Sequence, residues 1–183
     1  MNDELYGLFL TWTCYGTWLP GDDRGHLSPV LMANGRYSGR MGHPGPPCPA
    51  DDKRTRLRAR QLQKHDAVQL TADAAFAAAK GLCEAGAKRR WRIARGAFMS
   101  NHVHVVVLDC PADGPNVRRI LKGNATASLD THLGSPRRWW TAGGRDRYLR
   151  GEDALTAVLR YVDEQECVLV TIIDNVPALV AQK

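Results

Sequence analysis

Two histidines stand two residues apart near the middle of the chain, in the segment NHVHVVV at 101–107. This alternation is typical of a half-buried strand, with His102 and His104 on one face and Val103 and Val105 on the other. The pair would be unremarkable as two surface or half-buried imidazoles. It could also chelate a metal ion, because histidine is the commonest metal ligand in proteins. Such a site would still need a third ligand.

A histidine triad is a competing interpretation of this segment, since some nucleotide hydrolases carry a third histidine at the next alternate position of a strand. That position here is Val106. A valine can neither attack a phosphate nor carry a charge. The sequence therefore disfavours a histidine-triad hydrolase.

A second group of polar residues lies in LRYVDEQE, within a helix that we predict from Glu152 to about Gln165. Tyr161 and Gln165 are one turn apart on this helix, so their side chains lie on the same side. They flank an apolar stripe and can reach a cleft, although a boundary tyrosine beside an exposed glutamine would give the same pattern. The stripe has helical spacing and consists of Leu155, Val158, Leu159 and Val162.

The remaining periodicities predict an α+β fold in a single domain, 1–183. In chain order they indicate a strand at Leu5–Thr13, a helix from the Thr71 cap to about Ala87, two strands joined near Ser100–Asn101, a helix opening at Pro115–Asn116 and a short strand around Arg147–Leu149. A segment rich in glycine and proline, at about 20–60, is predicted to be an insertion that ends in a basic, helix-compatible run. Without it the order is βαββαβ, a ferredoxin-like antiparallel sheet with helices on one face, followed by the C-terminal helix that carries the tyrosine.

Composition favours a polyanionic partner. The chain has 25 Lys and Arg against 19 Asp and Glu, a net charge of +6 and a pI near 9.3. Five scattered cysteines without a CxxC pair indicate neither a disulfide framework nor a zinc knuckle. No apolar run approaches the roughly 20 residues of a membrane span, and the acidic start does not resemble a signal peptide. We therefore expect a cytoplasmic protein without a membrane partner.

Basic and aromatic residues are interleaved in three segments, at 88–95, 137–140 and 145–150. Guanidinium groups bind phosphates and indoles stack on unpaired bases, a pattern typical of single-strand binding. Solvated charges beside core tryptophans would look similar, and Trp91 is predicted to be such a core residue. With three cations predicted to be solvent-exposed on the Pro115 helix, the predicted DNA-binding residues are Arg89, Arg90, Arg92, Arg118, Arg119, Lys122, Arg137, Arg138, Trp139, Trp140, Arg145 and Arg147.

Together these segments resemble the single-tyrosine HUH transposases, including the REP-associated tyrosine transposases of bacteria. The matching pieces are LFLTWTCYGTW with the following LPGDDRG, then FMSNHVHVVV, then YLRGEDALTAVLRYVDEQ. They occur in that order and cover most of the chain. The long segment rich in glycine and proline is the main departure from the family pattern.

The resemblance implies that His102, His104 and Gln165 bind a divalent metal, Mg²⁺ or Mn²⁺, and that Tyr161 is the nucleophile. The implied reaction cuts and rejoins single-stranded or hairpin DNA through a 5′-phosphotyrosine. A homodimer is left open, because some relatives place the tyrosine helix of one subunit over the histidines of another. Two other functions are also left open: a domesticated, non-catalytic nucleic-acid-binding relative and a metal-dependent nucleotide phosphoesterase.

Overall fold

A computed structural model describes residues 5–19 and 53–181. The described residues form an α+β fold with one antiparallel sheet, and none of their helices is long and apolar enough to cross a membrane. The elements are β1 (Leu5–Thr13), α1 (Lys53–Gln61), α2 (Ala72–Lys88), β2 (Arg92–Phe98), β3 (His102–Leu108), α3 (Gly114–Leu133), β4 (Arg145–Arg150), α4 (Glu152–Asp163), β5 (Val170–Ile173) and β6 (Val176–Leu179). Most of the predicted insertion lies outside the described residues, and its last part is α1.

The sheet has the order β4-β1-β3-β2-β5-β6, so β1 and β3 are adjacent interior strands. The four predicted strands are present. The prediction omits the β5–β6 hairpin, which extends the sheet beyond β2. Its turn is Asp174–Asn175, and both residues have positive φ, 46° and 65°. Asp and Asn tolerate this conformation, which tight hairpin turns require.

Alternate residues of the central strands reach opposite faces of the sheet. Leu8, Leu10 and Trp12 of β1 are fully buried in the larger core, under α2 and α3. On the other face, Val158 and Val162 of α4 pack over a smaller apolar cluster that includes Val106, Leu108 and Leu149. The helices predicted on one face are thus α2 and α3, whereas α4 lies on the other. We call these the α2–α3 face and the α4 face.

The two helices of the α2–α3 face begin at side-chain caps. Thr71 accepts a hydrogen bond from the Ala74 amide, as the sequence predicts, and Asp113 accepts one from Asn116. The helices approach closely at Gly81. A Cβ there would lie 2.6 Å from Ser128 Cβ and 2.7 Å from the Asn124 carbonyl oxygen. The absence of a side chain at Gly81 therefore sets how closely α2 and α3 pack.

Two of the three α3 cations predicted to be solvent-exposed are not exposed. Arg118 is only 8% exposed, and its Nε and Nη2 donate to the Asp146 carboxylate at 2.6 and 3.0 Å. Lys122 is half-buried and donates to the carbonyl oxygens of Thr141 and Gly143. Burial lowers the pKa of Lys122 to about 8. Arg118 thus fastens β4 to α3, and Lys122 fastens the segment before β4 to the same helix. The prediction of solvent exposure is wrong for these two cations, whereas Arg119 is exposed as predicted.

The tryptophans predicted to stack on DNA bases are also buried. Trp139 donates its indole N–H to Asp130 at 2.7 Å, and Trp140 donates to Thr126 at 3.0 Å. Both partners lie on α3, and Trp140 makes an edge contact with Trp12 in the larger core. Each indole therefore has an internal role that keeps it from unpaired bases. Trp91 is buried, as predicted.

The contact at Gly81 yields a stability prediction. Replacing Gly81 with alanine should raise helix propensity by about 1 kcal/mol, yet overpacking in a tight interface typically costs about 1–3 kcal/mol. We expect Gly81→Ala to lower the free energy of unfolding, measured by urea denaturation. Gly123→Ala is the control, because a Cβ there meets nothing within 4 Å, and it should stabilise the protein by about 0.5–1 kcal/mol. Equal stabilisation by both substitutions would contradict the packing described.

Candidate active site on the α4 face of the sheet

The register between β1 and β3 places both histidines on the α4 face. In the antiparallel pairing, Thr11 of β1 lies opposite His104 of β3, and Thr13 lies opposite His102. The histidine rings are 4.9 Å apart between centroids and nearly perpendicular. The predicted same-face pair is therefore present, beside the edge of the apolar cluster under α4.

Tyr161 of α4 completes a group of three rings with this pair. Its ring lies 5.5 Å from the His104 ring and 5.9 Å from the Phe9 ring, both in edge-on contacts. Tyr161 remains 47% exposed. Arg95 of β2 donates to Asp163 at 3.1 Å and thereby ties the end of α4 to the sheet. The structure brings His102, His104 and Tyr161 together, as the sequence predicts.

Gln165 does not continue the helix as predicted. α4 ends at Asp163, and Gln165 lies two residues beyond it. Its side-chain amide nitrogen donates to the main-chain carbonyl oxygen of Tyr161 at 2.9 Å. Gln165 is therefore held against the last turn of α4 by its bond to Tyr161, although it lies outside the helix.

His104 lies in an almost dry environment. It is 5% exposed, its Nδ1 is 2.9 Å from Thr11 Oγ1, and its ring stacks on Phe9 at 5.4 Å. Burial, together with the neighbouring His102, lowers the pKa of His104 to about 3. The imidazole is therefore neutral at physiological pH. A neutral imidazole is the form that binds metal ions.

His102 is oriented by the residue that precedes it. Its Nδ1 lies 2.6 Å from Asn101 Oδ1, and an amide oxygen can only accept. Nδ1 therefore carries the hydrogen, and the lone pair of the neutral ring is on Nε2. The ring also contacts Trp18 at 5.3 Å between centroids. This arrangement, in which one ring nitrogen donates to an oxygen, is the usual support for a metal-binding histidine.

Four residues of the site were not predicted: Phe9, Thr11, Trp18 and Asn101. Phe9 and Thr11 alternate with the buried leucines of β1, so the sequence indicates that they share one face of the strand. It does not indicate which residues of the neighbouring strand they contact. Their contact with His104 depends on the pairing of β1 with β3, a long-range fact that local patterns do not contain. Asn101 directly precedes His102, so of these four contacts the one between Asn101 and His102 is the one that the sequence could have indicated.

The two histidines supply only part of the ligand set that a divalent ion needs. Among residues 5–19 and 53–181, no group of three His, Cys, Asp or Glu side chains could hold a metal. An ion at His102 and His104 would need oxygen ligands from elsewhere, such as the Gln165 amide and water. Two neutral imidazoles with amide and water oxygens suit Mn²⁺ somewhat better than Mg²⁺, which prefers oxygen alone.

The predicted DNA-binding cations divide between the two faces and the two ends of the sheet. Arg145 and Arg147 of β4 lie opposite Thr11 and Phe9 in the register, so they share the α4 face with the histidines. Arg92 lies opposite Leu108, four residues along β3 from His104 and thus about 13 Å away.

The other predicted cations lie away from the rings. Arg92 sits between Asp109 and Asp174. Arg89 and Arg90 directly follow α2, near that same end of the sheet. Arg119 is on α3. Of the predicted cations in the described part of the chain, Arg145 and Arg147 are therefore the ones that share a sheet face with the histidine rings. Arg137 and Arg138 are exposed in the segment between α3 and β4.

Comparison with protein-family models and with curated proteins gives no match. Comparison with solved structures matches a REP-associated tyrosine transposase bound to a REP hairpin. The identity is 11%, the alignment covers 88% of this chain and 67% of that chain, and the TM-score is 0.44. At this level the similarity assigns no function, so any function must follow from the geometry of the site.

The buried histidine predicts a pH dependence of stability. In the unfolded chain the pKa of His104 is near 6.5, and in the folded protein it is about 3. Between these values the unfolded state binds the proton and the folded state does not, so stability is complete above pH 6.5 and is lost as pH falls. In a chelator, urea denaturation of the wild type should lose up to about 1.4 kcal/mol per pH unit more than His104→Gln between pH 6 and 5. Parallel pH profiles would contradict the burial of a neutral His104.

Proposed function

We propose that this protein is a metal-dependent transposase that cuts and rejoins single-stranded DNA through a phosphotyrosine on Tyr161. The observation that carries the proposal is the contact of the Tyr161 ring with the His104 ring, 5.5 Å between centroids. A phenol and two imidazoles come together on one sheet face, and the Gln165 amide is bonded to the main-chain carbonyl oxygen of the same tyrosine. We also infer that β4, β1, β3 and β2 form a ferredoxin-like core to which the β5–β6 hairpin is added.

The nucleophile is an exposed phenol on a supported helix. Tyr161 is 47% exposed, so a DNA backbone can reach its hydroxyl. Its ring is braced by Phe9 and His104, which fixes its direction at little further entropic cost. A phenol is a weak nucleophile at neutral pH, so the phosphate that it attacks must be activated.

The metal ligands in this proposal are His102, His104 and Gln165. A bound Mg²⁺ or Mn²⁺ would polarise the scissile phosphate and stabilise charge on its oxygens. The hydrogen bonds that link His102 to Asn101 Oδ1 and His104 to Thr11 Oγ1 hold the two imidazoles in orientation for that role. Gln165 is held one residue past the helix cap by its bond to the Tyr161 carbonyl, which couples the third ligand to the nucleophile.

In the reaction, the Tyr161 oxygen forms a bond to phosphorus and the bond from phosphorus to the 3′ oxygen breaks. The phenolic proton passes to water, and the 3′ oxygen takes a proton from water. The products are a 5′-phosphotyrosine and a free 3′-hydroxyl. Because the covalent link keeps the phosphodiester energy, attack by a 3′-hydroxyl reverses the step without ATP.

The surroundings of the site suit a DNA strand. Arg145 and Arg147 lie on the same sheet face and supply cations for phosphates next to the cut. Unpaired DNA is the partner of this proposal, in a single strand or beside a hairpin, because attack needs an accessible backbone. The proposal draws all of its named residues from one chain, and a homodimer stays open as the sequence leaves it.

The central test is the loss of the attacking oxygen. Tyr161→Phe should abolish the denaturant-resistant adduct with labelled single-stranded DNA and Mn²⁺, while stability and DNA affinity change little. Tyr148→Phe is the matched control. The Tyr148 hydroxyl accepts from the Gly114 amide at the start of α3, on the opposite sheet face, so the adduct should persist in this variant.

Each alternative function gives its own result in that experiment. An adduct that survives in Tyr161→Phe would contradict the proposed nucleophile. DNA binding without any adduct in the wild type would instead favour a non-catalytic nucleic-acid-binding relative. Turnover of small nucleotides without an adduct would favour a metal-dependent phosphoesterase.

The metal ligands predict a separate outcome that does not depend on cutting. His102→Ala should weaken Mn²⁺ binding by about tenfold or more in calorimetry, since it removes one of the imidazoles. His132→Ala is the control, because His132 lies in the last turn of α3 on the other side of the sheet. Gln165→Ala should also weaken binding. An unchanged Mn²⁺ affinity in Gln165→Ala would remove Gln165 from the ligand set.

A further inference from the structure

A basic cleft lies beyond the end of β1 and is not part of the site described above. It has a volume of about 910 Å³, and two separate stretches of chain line it. One stretch follows α1 and the other follows α3. The side chains that give the cleft its chemistry are Arg60, Lys64, His65, Asp66, Arg137 and Arg138.

The cations of the basic cleft have few acidic neighbours in the part of the chain that the structure describes. Among the described residues that line the cleft are four cations, Arg60, Lys64, Arg137 and Arg138, and one carboxylate, Asp66, and all five side chains are exposed. Within residues 5–19 and 53–181, none of the four cations makes an ion pair. Like charges that converge without counterions repel one another, so the cleft favours a bound polyanion.

Tyr15 joins the two walls of the basic cleft. Its hydroxyl accepts from the Lys64 amide at 3.2 Å, and its ring contacts His65 at 6.0 Å. From the other wall, the Arg138 guanidinium lies 5.2 Å from the centre of the same ring. Arg137 is stacked in the same way over Trp139, at 5.0 Å. These contacts hold both guanidinium groups in place, which lowers the entropic cost of binding an anion.

The cleft lies at the end of the sheet that carries His102. Tyr15 follows Thr13 by two residues, and Thr13 is the residue of β1 that pairs with His102. The wall after α1 is tied to the same end, because the Val68 amide donates to the Tyr15 carbonyl and the Leu70 amide donates to the Ser100 carbonyl. A strand whose phosphate lies at the histidines can therefore continue toward the cleft.

We propose that the basic cleft binds the sugar-phosphate backbone of single-stranded DNA next to the segment that is cut. The inference rests on the proposed function for the identity of the strand. The cleft binds phosphates through Arg60, Lys64, Arg137 and Arg138, without reading the base sequence. Its role is to hold the flank of the substrate while Tyr161 reacts with the phosphate at the histidines.

The test compares the salt dependence of DNA binding in three charge-neutralising variants. Two of them, Arg60→Gln with Lys64→Gln and Arg137→Gln with Arg138→Gln, each remove two cations from one wall of the cleft. The control, Lys80→Gln with Lys88→Gln, removes two exposed cations from α2. Binding of a fluorescent single-stranded oligonucleotide is measured by anisotropy in EDTA, where no cutting occurs.

Each cleft variant should reduce the slope of log affinity against log salt by about 1.4, the loss expected for two phosphate contacts with a single strand. The affinity at about 0.1 M salt should fall on the order of tenfold or more. The control should keep the wild-type slope. Because the two cleft variants change different walls, a folding defect in one leaves the other as a test. Slopes equal to that of the control in both would overturn the proposal.

A second measurement separates this inference from the proposed function. Adduct formation with Mn²⁺ is compared for a long oligonucleotide and for a short one that spans little more than the cut. The cleft variants should lose the advantage of the long substrate and keep the rate on the short one. Reduced salt slopes with no adduct in the wild type would support the cleft and refute the transposase. Normal adduct on both substrates in the cleft variants would refute the cleft alone.

Discussion

The antiparallel pairing of β1 with β3 determines the rest of the architecture. Side chains alternate between the two faces of a strand, so a shift of one residue in this pairing would exchange the faces. The observed register sets Thr11 against His104 and Leu10 against Val105. Leucines and valines then enter the core under α2 and α3, and both histidines reach the α4 face. Burial of the apolar face thus specifies the position of the polar one.

The same constraint explains why His104 is neutral. β3 is a central strand, so a side chain on its α4 face is covered by the neighbouring strands and by α4 rather than by water. Thr11 and Phe9 reach the imidazole from β1, and Tyr161 reaches it from α4. A charged imidazole would lose its hydration there, and the neighbouring His102 disfavours its charge further. Burial therefore keeps a lone pair on the ring, at a cost in stability when the medium becomes acidic.

The parts of the fold that could be predicted are those specified by local patterns. The alternation around His102 and His104 and the apolar stripe of α4 each lie within a few residues, and the structure contains both. The role of Arg118 could not be read locally, because its partner Asp146 lies on β4. The same holds for Trp139, whose partner Asp130 lies one helix turn from the end of α3. A cation or an indole beside arginines looks the same in a sequence whether it faces DNA or a buried partner.

Gln165 and the β5–β6 hairpin show a different limit, which concerns where elements end. The predicted helix extends to about Gln165, but α4 ends at Asp163 and the Gln165 side chain turns back to the Tyr161 carbonyl. The hairpin strands are four residues each, too short for a periodic signal, and β6 contains a proline that a central strand would exclude.

Tyr148 and Tyr161 have similar sequence contexts but lie on opposite faces of the sheet. Both tyrosines follow the histidine strand, and both have arginine neighbours. β4 lies at the edge of the sheet, and the register directs Arg145 and Arg147 to the α4 face and therefore Tyr148 to the opposite one. There its hydroxyl binds the start of α3. Tyr161 lies on a helix that packs over the α4 face, so its ring meets the histidines. The alternation that places two cations beside the site thus also removes one of the two candidate nucleophiles from it.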